Sequence, residues 1–143
     1  MRTSALLAVV ALGTTALAAW LAVSALGGPA GEGVPAAYAG RINPRAGDAA
    51  AIAAGAAVFR DNCASCHGLR GDGRGPAATG LTPAPARFRG SDLLGHHSDA
   101  YLFYRISAGK PGTAMPSFHG ALGEDERWAV IAFLRTLDEA AAR

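Results

Sequence analysis

The two cysteines of this 143-residue chain, Cys63 and Cys66, lie in a single run, Cys63-Ala64-Ser65-Cys66-His67. With only two thiols, a scaffold stapled by several disulfides is excluded. Cys-x-x-Cys-His is the attachment signature of a c-type haem. Two thiols one helical turn apart can each reach a vinyl group of one porphyrin, and the adjacent imidazole can turn to the iron. Three other readings compete. A redox dithiol shares the Cys-x-x-Cys but belongs in a βαβ context, which this sequence of helices and loops lacks. A zinc site needs further Cys or His at ligand spacing, and there is no second Cys pair. A chance match over five residues is the third.

Length and composition limit what surrounds the motif. The chain is one ordinary domain long, and its 19 Gly and 8 Pro leave few residues for regular structure. Ala5 to Leu26 is a run of 22 residues without a charge, preceded by Arg2. That is long enough to cross a hydrocarbon layer of about 30 Å as a helix. It reads as a transmembrane anchor with a cytoplasmic amino terminus. The rival reading is a cleaved signal peptide, with Ala37-Tyr38-Ala39 as a small-x-small site, although that site lies far past the apolar run. Residues 27–47 contain six Gly and three Pro without hydrophobic periodicity and read as a tether. A flexible tether of that length has an r.m.s. span of about 25 Å.

Residues 48–143 are the expected globular domain. Asp48 is placed to cap a helix running to about Asn62, with Ile52, Ala56 and Phe59 at helical spacing. Gly55 interrupts it; a mid-helix glycine costs about 1 kcal/mol relative to alanine, so close approach of another backbone is expected. A second helix follows Ser98 and stops at Gly109. A third runs from about Glu124 to Ala141, opening with three acidic residues that complement its dipole. The Gly/Pro-rich residues 68–97 show no strand alternation, and a loop of that length is uncommon unless it has a function.

A haem held by one His leaves a second axial position. Apart from Met1 the sole methionine is Met115, in Gly112-Thr113-Ala114-Met115-Pro116. Pro116 keeps it out of a helix, so its thioether can project from a loop; the competing reading is a core methionine filling a gap. His96, His97 and His119 are rival ligands, and the bland reading of the first two is loop surface. Arg87, Arg89 and Arg105 are candidates to pair with haem propionates.

In this order of elements, residues 48–143 resemble a small bacterial class I monohaem cytochrome c. The resemblance implies an all-α fold of three to four helices and long loops around one covalent haem c, here preceded by a transmembrane helix. It implies that Gly55 and Phe59 pack across the last helix against Phe133. In this family a proline carbonyl in the loop after the haem motif orients the axial His. Pro76, in Gly71-Asp72-Gly73-Arg74-Gly75-Pro76, is the candidate, with Pro83 and Pro85 as alternatives. The same hexapeptide is neither a P-loop nor a dinucleotide fingerprint.

The expected function is one-electron transfer through a haem bound by Cys63 and Cys66, with His67 and Met115 as axial ligands. The expected role is a membrane-tethered carrier in a respiratory-type chain, and not an enzyme. The alternatives are a fixed subunit of a larger oxidase or reductase complex, a gas-binding haem protein or enzyme with a displaceable Met115, and a thiol oxidoreductase. The expected location is the inner membrane with the haem domain on the periplasmic or outer face, or the soluble periplasm if the leader is cleaved. Redox proteins are the expected partners. Nucleic acid is not, since the formal charge of +2 resides in residues 1–47 and residues 48–143 are neutral.

Overall fold

Five helices carry the fold of the computed structural model, which describes residues 33–139. They are α1 (Ala49–Asn62), α2 (Ala64–His67), α3 (Leu93–His96), α4 (Asp99–Ala108) and α5 (Glu124–Glu139). No strand occurs among the described residues. The apolar run Ala5–Leu26 lies outside them. Among the described residues no helix is long and apolar enough to cross a membrane.

The helix starts follow from local chemistry. The Asp48 carboxylate accepts from the amides of Ala50 (2.9 Å) and Ala51 (3.2 Å), two of the donors that the first turn of α1 leaves orphaned. Ser98 Oγ accepts from Tyr101 N at 3.2 Å and opens α4. At α5 the Glu126 carboxylate reaches back to the Gly123 amide at 2.8 Å, half of a capping box. The short helix α3 was not expected.

The centre of the core is the crossing of α1 and α5. A Cβ on Gly55 would stand 2.0 Å from the Ala129 carbonyl oxygen, so the two backbones meet where only glycine fits. Phe59, one turn on, is 2% exposed and packs against Phe133 with ring centroids 5.3 Å apart. Burial of a side chain of that size contributes about 1.5–3 kcal/mol. Helix α4 packs on the same α5, where Phe103 stacks on Trp128 at 4.0 Å.

The expected tether 27–47 ends earlier than its composition indicates. From Val34 onward the chain belongs to one unit with the helices. Tyr38 lies 5.2 Å from the ring of Tyr104 and 6.1 Å from that of Phe103. Asn43 is only 4% exposed; its Nδ2 donates to the Trp128 carbonyl at 3.1 Å, and its Oδ1 accepts from Arg45 N at 2.9 Å. Arg41 and Arg45 pair with Glu124 and Asp125 at the start of α5. The packed domain therefore begins near residue 34 rather than 48. Its first arm is held by isolated side chains, which leave no periodic pattern.

Candidate haem site

Helix α1 ends at Cys63, and the chain turns at once into α2. The amides of Cys66 (3.2 Å) and His67 (2.9 Å) both bond the Cys63 carbonyl. This single turn places Cys63, Cys66 and His67 along one cleft of about 240 Å³. Pro83 to Ala86, Ile106, Phe118 and Met115 are also among its lining. Met115 and the attachment motif, 48 residues apart in sequence, thus face the same space.

The His67 ring is fixed by two contacts. Its Nδ1 lies 2.9 Å from the Ala86 carbonyl oxygen, which is a donor geometry for Nδ1–H and leaves Nε2 with a free lone pair. Phe88 stacks on the ring with centroids 4.7 Å apart. Burial pushes the imidazole pKa below its ordinary value, and the Ala86 bond opposes this more weakly. The neutral form that results is the one a metal needs.

Pro76 does not orient His67; the Ala86 carbonyl does. Gly75 N bonds the Cys66 carbonyl (3.1 Å) and Ala77 N the Ser65 carbonyl (2.8 Å), which pins the Gly75–Ala77 stretch along the outside of α2. Pro76 is left exposed. The chain returns beneath the imidazole only after Pro85. Neither Ala86 nor Phe88 was legible as a contact of His67.

The methionine loop is built from its flanks. A Cβ on Gly109, whose φ is +74°, would stand 2.7 Å from the carbonyl carbon of Pro116. Lys110 N donates to the Met115 carbonyl at 3.2 Å, and Met115 N donates to Thr113 Oγ1 at 3.2 Å. Beyond Met115, Phe118 N bonds the Ile106 carbonyl (3.0 Å) and His119 N the Ser107 carbonyl (3.2 Å), tying the loop to the last turn of α4. Arg127, 5% exposed on α5, donates to Ser107 Oγ and lies 3.5 Å from His119 Nδ1.

None of the rival histidines lines the cleft. His96 Nδ1 bonds the Asp92 carbonyl at 2.7 Å, His97 stacks on Tyr101, and His119 faces Arg127. Arg87 and Arg89 line a separate surface groove, and Arg105 lies over the rings of Tyr101 and Tyr104. The cation at the cleft is Lys110.

The donor set fits a haem: two free thiols, a neutral imidazole nitrogen and a thioether in one largely apolar cleft. Burial, reinforced by the neighbouring Cys66, pushes the Cys63 thiol up to about 11, whereas a reactive dithiol needs a depressed value. Among the described residues no group of three or more His, Cys, Asp or Glu could hold a metal ion.

The sequence profile of cytochrome c matches residues 52–138. The chain belongs to the cytochrome c family. It is 36% identical over 93 residues to cytochrome c6 of Thermosynechococcus vestitus, an alignment spanning 65% of this chain and 74% of that protein. Among solved structures it resembles a chain of the reducing HAO-like protein complex of Kuenenia stuttgartiensis, with TM-score 0.52 and 29% identity over 63% of this chain and 44% of that one. Cytochrome CL of Methylophaga aminisulfidivorans shares the fold at TM-score 0.53 and 23% identity, covering 69% of this chain and 63% of that one. As in other cytochromes c, the cofactor is a covalent c-type haem, and Cys63 and Cys66 are the two thiols available for it.

Proposed function

We propose that this cytochrome c is a class I monohaem one-electron carrier in which His67 and Met115 are the axial ligands. The observation that carries this reading is the convergence of Cys63, Cys66, His67 and Met115 on one cleft. The haem supplies a reversible ferric–ferrous couple. The chain fixes the tautomer and orientation of His67 through Ala86 and Phe88, presents Met115 from a loop tied at both ends, and surrounds the cleft with apolar side chains. Thioether ligation and apolar surroundings both favour the ferrous state and raise the potential. With His67 and Met115 both holding the iron, no position would be left for a substrate, and the haem would supply electron transfer alone.

The apolar run Ala5–Leu26 supports a bacterial membrane-tethered carrier, with its haem domain on the periplasmic or outer face, working in a respiratory-type chain with redox protein partners. Visible spectra of both oxidation states, with the intact mass of protein purified from membranes, test attachment, ligation and processing together. A haem stain that survives denaturation and a long-wavelength ferric band from methionine ligation are expected. Met115→Ala should abolish that band, lower the potential and allow rapid carbon monoxide binding to the ferrous protein. Rapid binding to the unaltered ferrous protein would overturn the carrier reading. The resemblance to a chain of a larger complex favours a second reading, a fixed subunit of a membrane oxidase or reductase. Co-purification of larger subunits after gentle solubilisation would select it.

A further inference from the structure

Arg70, Arg74, Arg87 and Arg89 line an open surface groove of about 380 Å³ whose lining contains one carboxylate, Asp72. Residues 48–143 are formally neutral, so the groove reflects distribution rather than excess charge. Arg70 approaches Asp72 at 3.7 Å while 76% exposed, and Arg87 donates to the Gly90 carbonyl at 2.8 Å. One carboxylate cannot neutralise four guanidinium groups.

Phe88, which stacks on His67, lies in sequence between two of the groove's arginines. The groove's two arms are joined where the amides of Phe88 (2.7 Å) and Arg89 (3.0 Å) both bond the Gly71 carbonyl. Arg87 and Arg89 are exposed, while Phe88 between them is buried and stacks on His67 at 4.7 Å. Ala86, which bonds His67, immediately precedes Arg87. Leu69, one of the few large apolar side chains left exposed (71%), adjoins Arg70.

We propose that this groove docks an acidic surface of a redox protein and gives one electron a short route between that protein's cofactor and the haem iron by way of Phe88 and His67. It rests on the electron-carrier reading. A small anion held by exposed guanidinium groups alone stays hydrated and screened. A protein face supplies several carboxylates at once and an apolar contact for Leu69, and arginine is enriched at such interfaces. Complementary charge chiefly accelerates encounter, so the site sets a rate and its salt dependence.

The probe is a flavodoxin, a strongly acidic protein whose anionic hydroquinone gives one electron to ferric iron and becomes the neutral semiquinone without a proton transfer. The full-length haem-loaded protein in neutral detergent is reduced by it in a stopped-flow apparatus from low to high salt. The second-order rate should fall with salt. In the variant R70Q/R74Q/R87Q/R89Q it should be about tenfold lower at low salt and converge with the parent at high salt. R87K/R89K, which keeps the charge, should retain most of the rate. In an amide chemical-shift titration with oxidised flavodoxin, residues 70–74 and 87–90 should move. An unchanged rate in the quadruple variant, or an equal loss in R41Q/R45Q, would overturn the proposal. So would groove-dependent binding to phosphatidylglycerol vesicles without any effect on the flavodoxin rate, which would reassign the groove to lipid. Failure of every variant and the parent to accept electrons from dithionite would refute the carrier reading instead.

Discussion

Burial lowers the pKa of the His67 imidazole, and the Ala86 carbonyl opposes it by less. At a pH between that lowered value and the ordinary 6.5, the unfolded chain binds a proton that the folded chain does not. The unfolded state then holds more protons, so stability rises with pH across this window and its contribution is lost below the folded value. Metal ligation by Nε2 acts in the same direction. The thermal midpoint should therefore begin to fall as pH drops through about 6.5, before the carboxylates titrate near 4. A midpoint flat from pH 7 to pH 5 would contradict this. Gly55 gives a second test at the same scale. Gly55→Ala should raise helix propensity yet destabilise, by about 1–3 kcal/mol, because the added methyl meets the Ala129 carbonyl; a midpoint raised or unchanged in a thermal melt would show that α1 and α5 separate freely. This glycine was legible in the sequence because its cost in a helix demanded a reason. The role of Ala86 was not, since a backbone carbonyl carries no residue signature and its place is set by the path of a loop 19 residues away from His67.

At the scale of elements, the three long helices were legible through caps and apolar spacing, and their observed starts agree with Asp48, Ser98 and the acidic run at Glu124. Helix α3 has four residues, too few to show a period. What joins the elements was hidden. Arg135 on α5 bonds Asp99 together with the Leu94 and His97 carbonyls, fastening α3 and the start of α4 to α5. Arg127 does the corresponding work at the other end of α4. Its guanidinium lies 4.7 Å from the Phe103 ring centroid, and its partners are the Ser107 hydroxyl, the Gly123 carbonyl and His119. Because Ser107 also bonds the chain after Met115 through its carbonyl, Arg127 supports the methionine loop from behind. Arg127→Ala leaves Ser107 Oγ buried without that donor and opens a void, with an expected cost of about 2–4 kcal/mol. The methionine–ferric band should disappear at a lower temperature than global unfolding, because the loop loses its support first. Coincident loss of the band and of helical circular dichroism, as in the parent, would show that Arg127 stabilises the fold without positioning Met115.

At the scale of the whole molecule, the informative difference is the arm of residues 34–47. Gly and Pro content without hydrophobic periodicity reads as a tether there, but it does not exclude packing, because one aromatic and one amide suffice to dock an irregular segment. Besides the ring of Tyr38, two kinds of polar contact hold this arm, and their magnitudes differ. The ion pair of Arg45 with Asp125 spans 3.2 Å, but its side chains are 43% and 77% exposed, and such pairs contribute about 0–1 kcal/mol. Asn43 is buried and satisfies the Trp128 carbonyl with one end and the Arg45 amide with the other. Removing its side chain deprives the Arg45 amide of its acceptor and empties a buried site against α5, at about 1–3 kcal/mol. Denaturant unfolding should therefore show a clear loss of stability in Asn43→Ala and almost none in Arg45→Gln, with the Arg45→Gln difference shrinking further in salt. Because Trp128 stacks on Phe103, a core contact of α4 with α5, the Asn43 variant should also change tryptophan fluorescence. If the two variants lost stability equally, the arm would be held by charge on the surface, and its residues would belong to the tether after all.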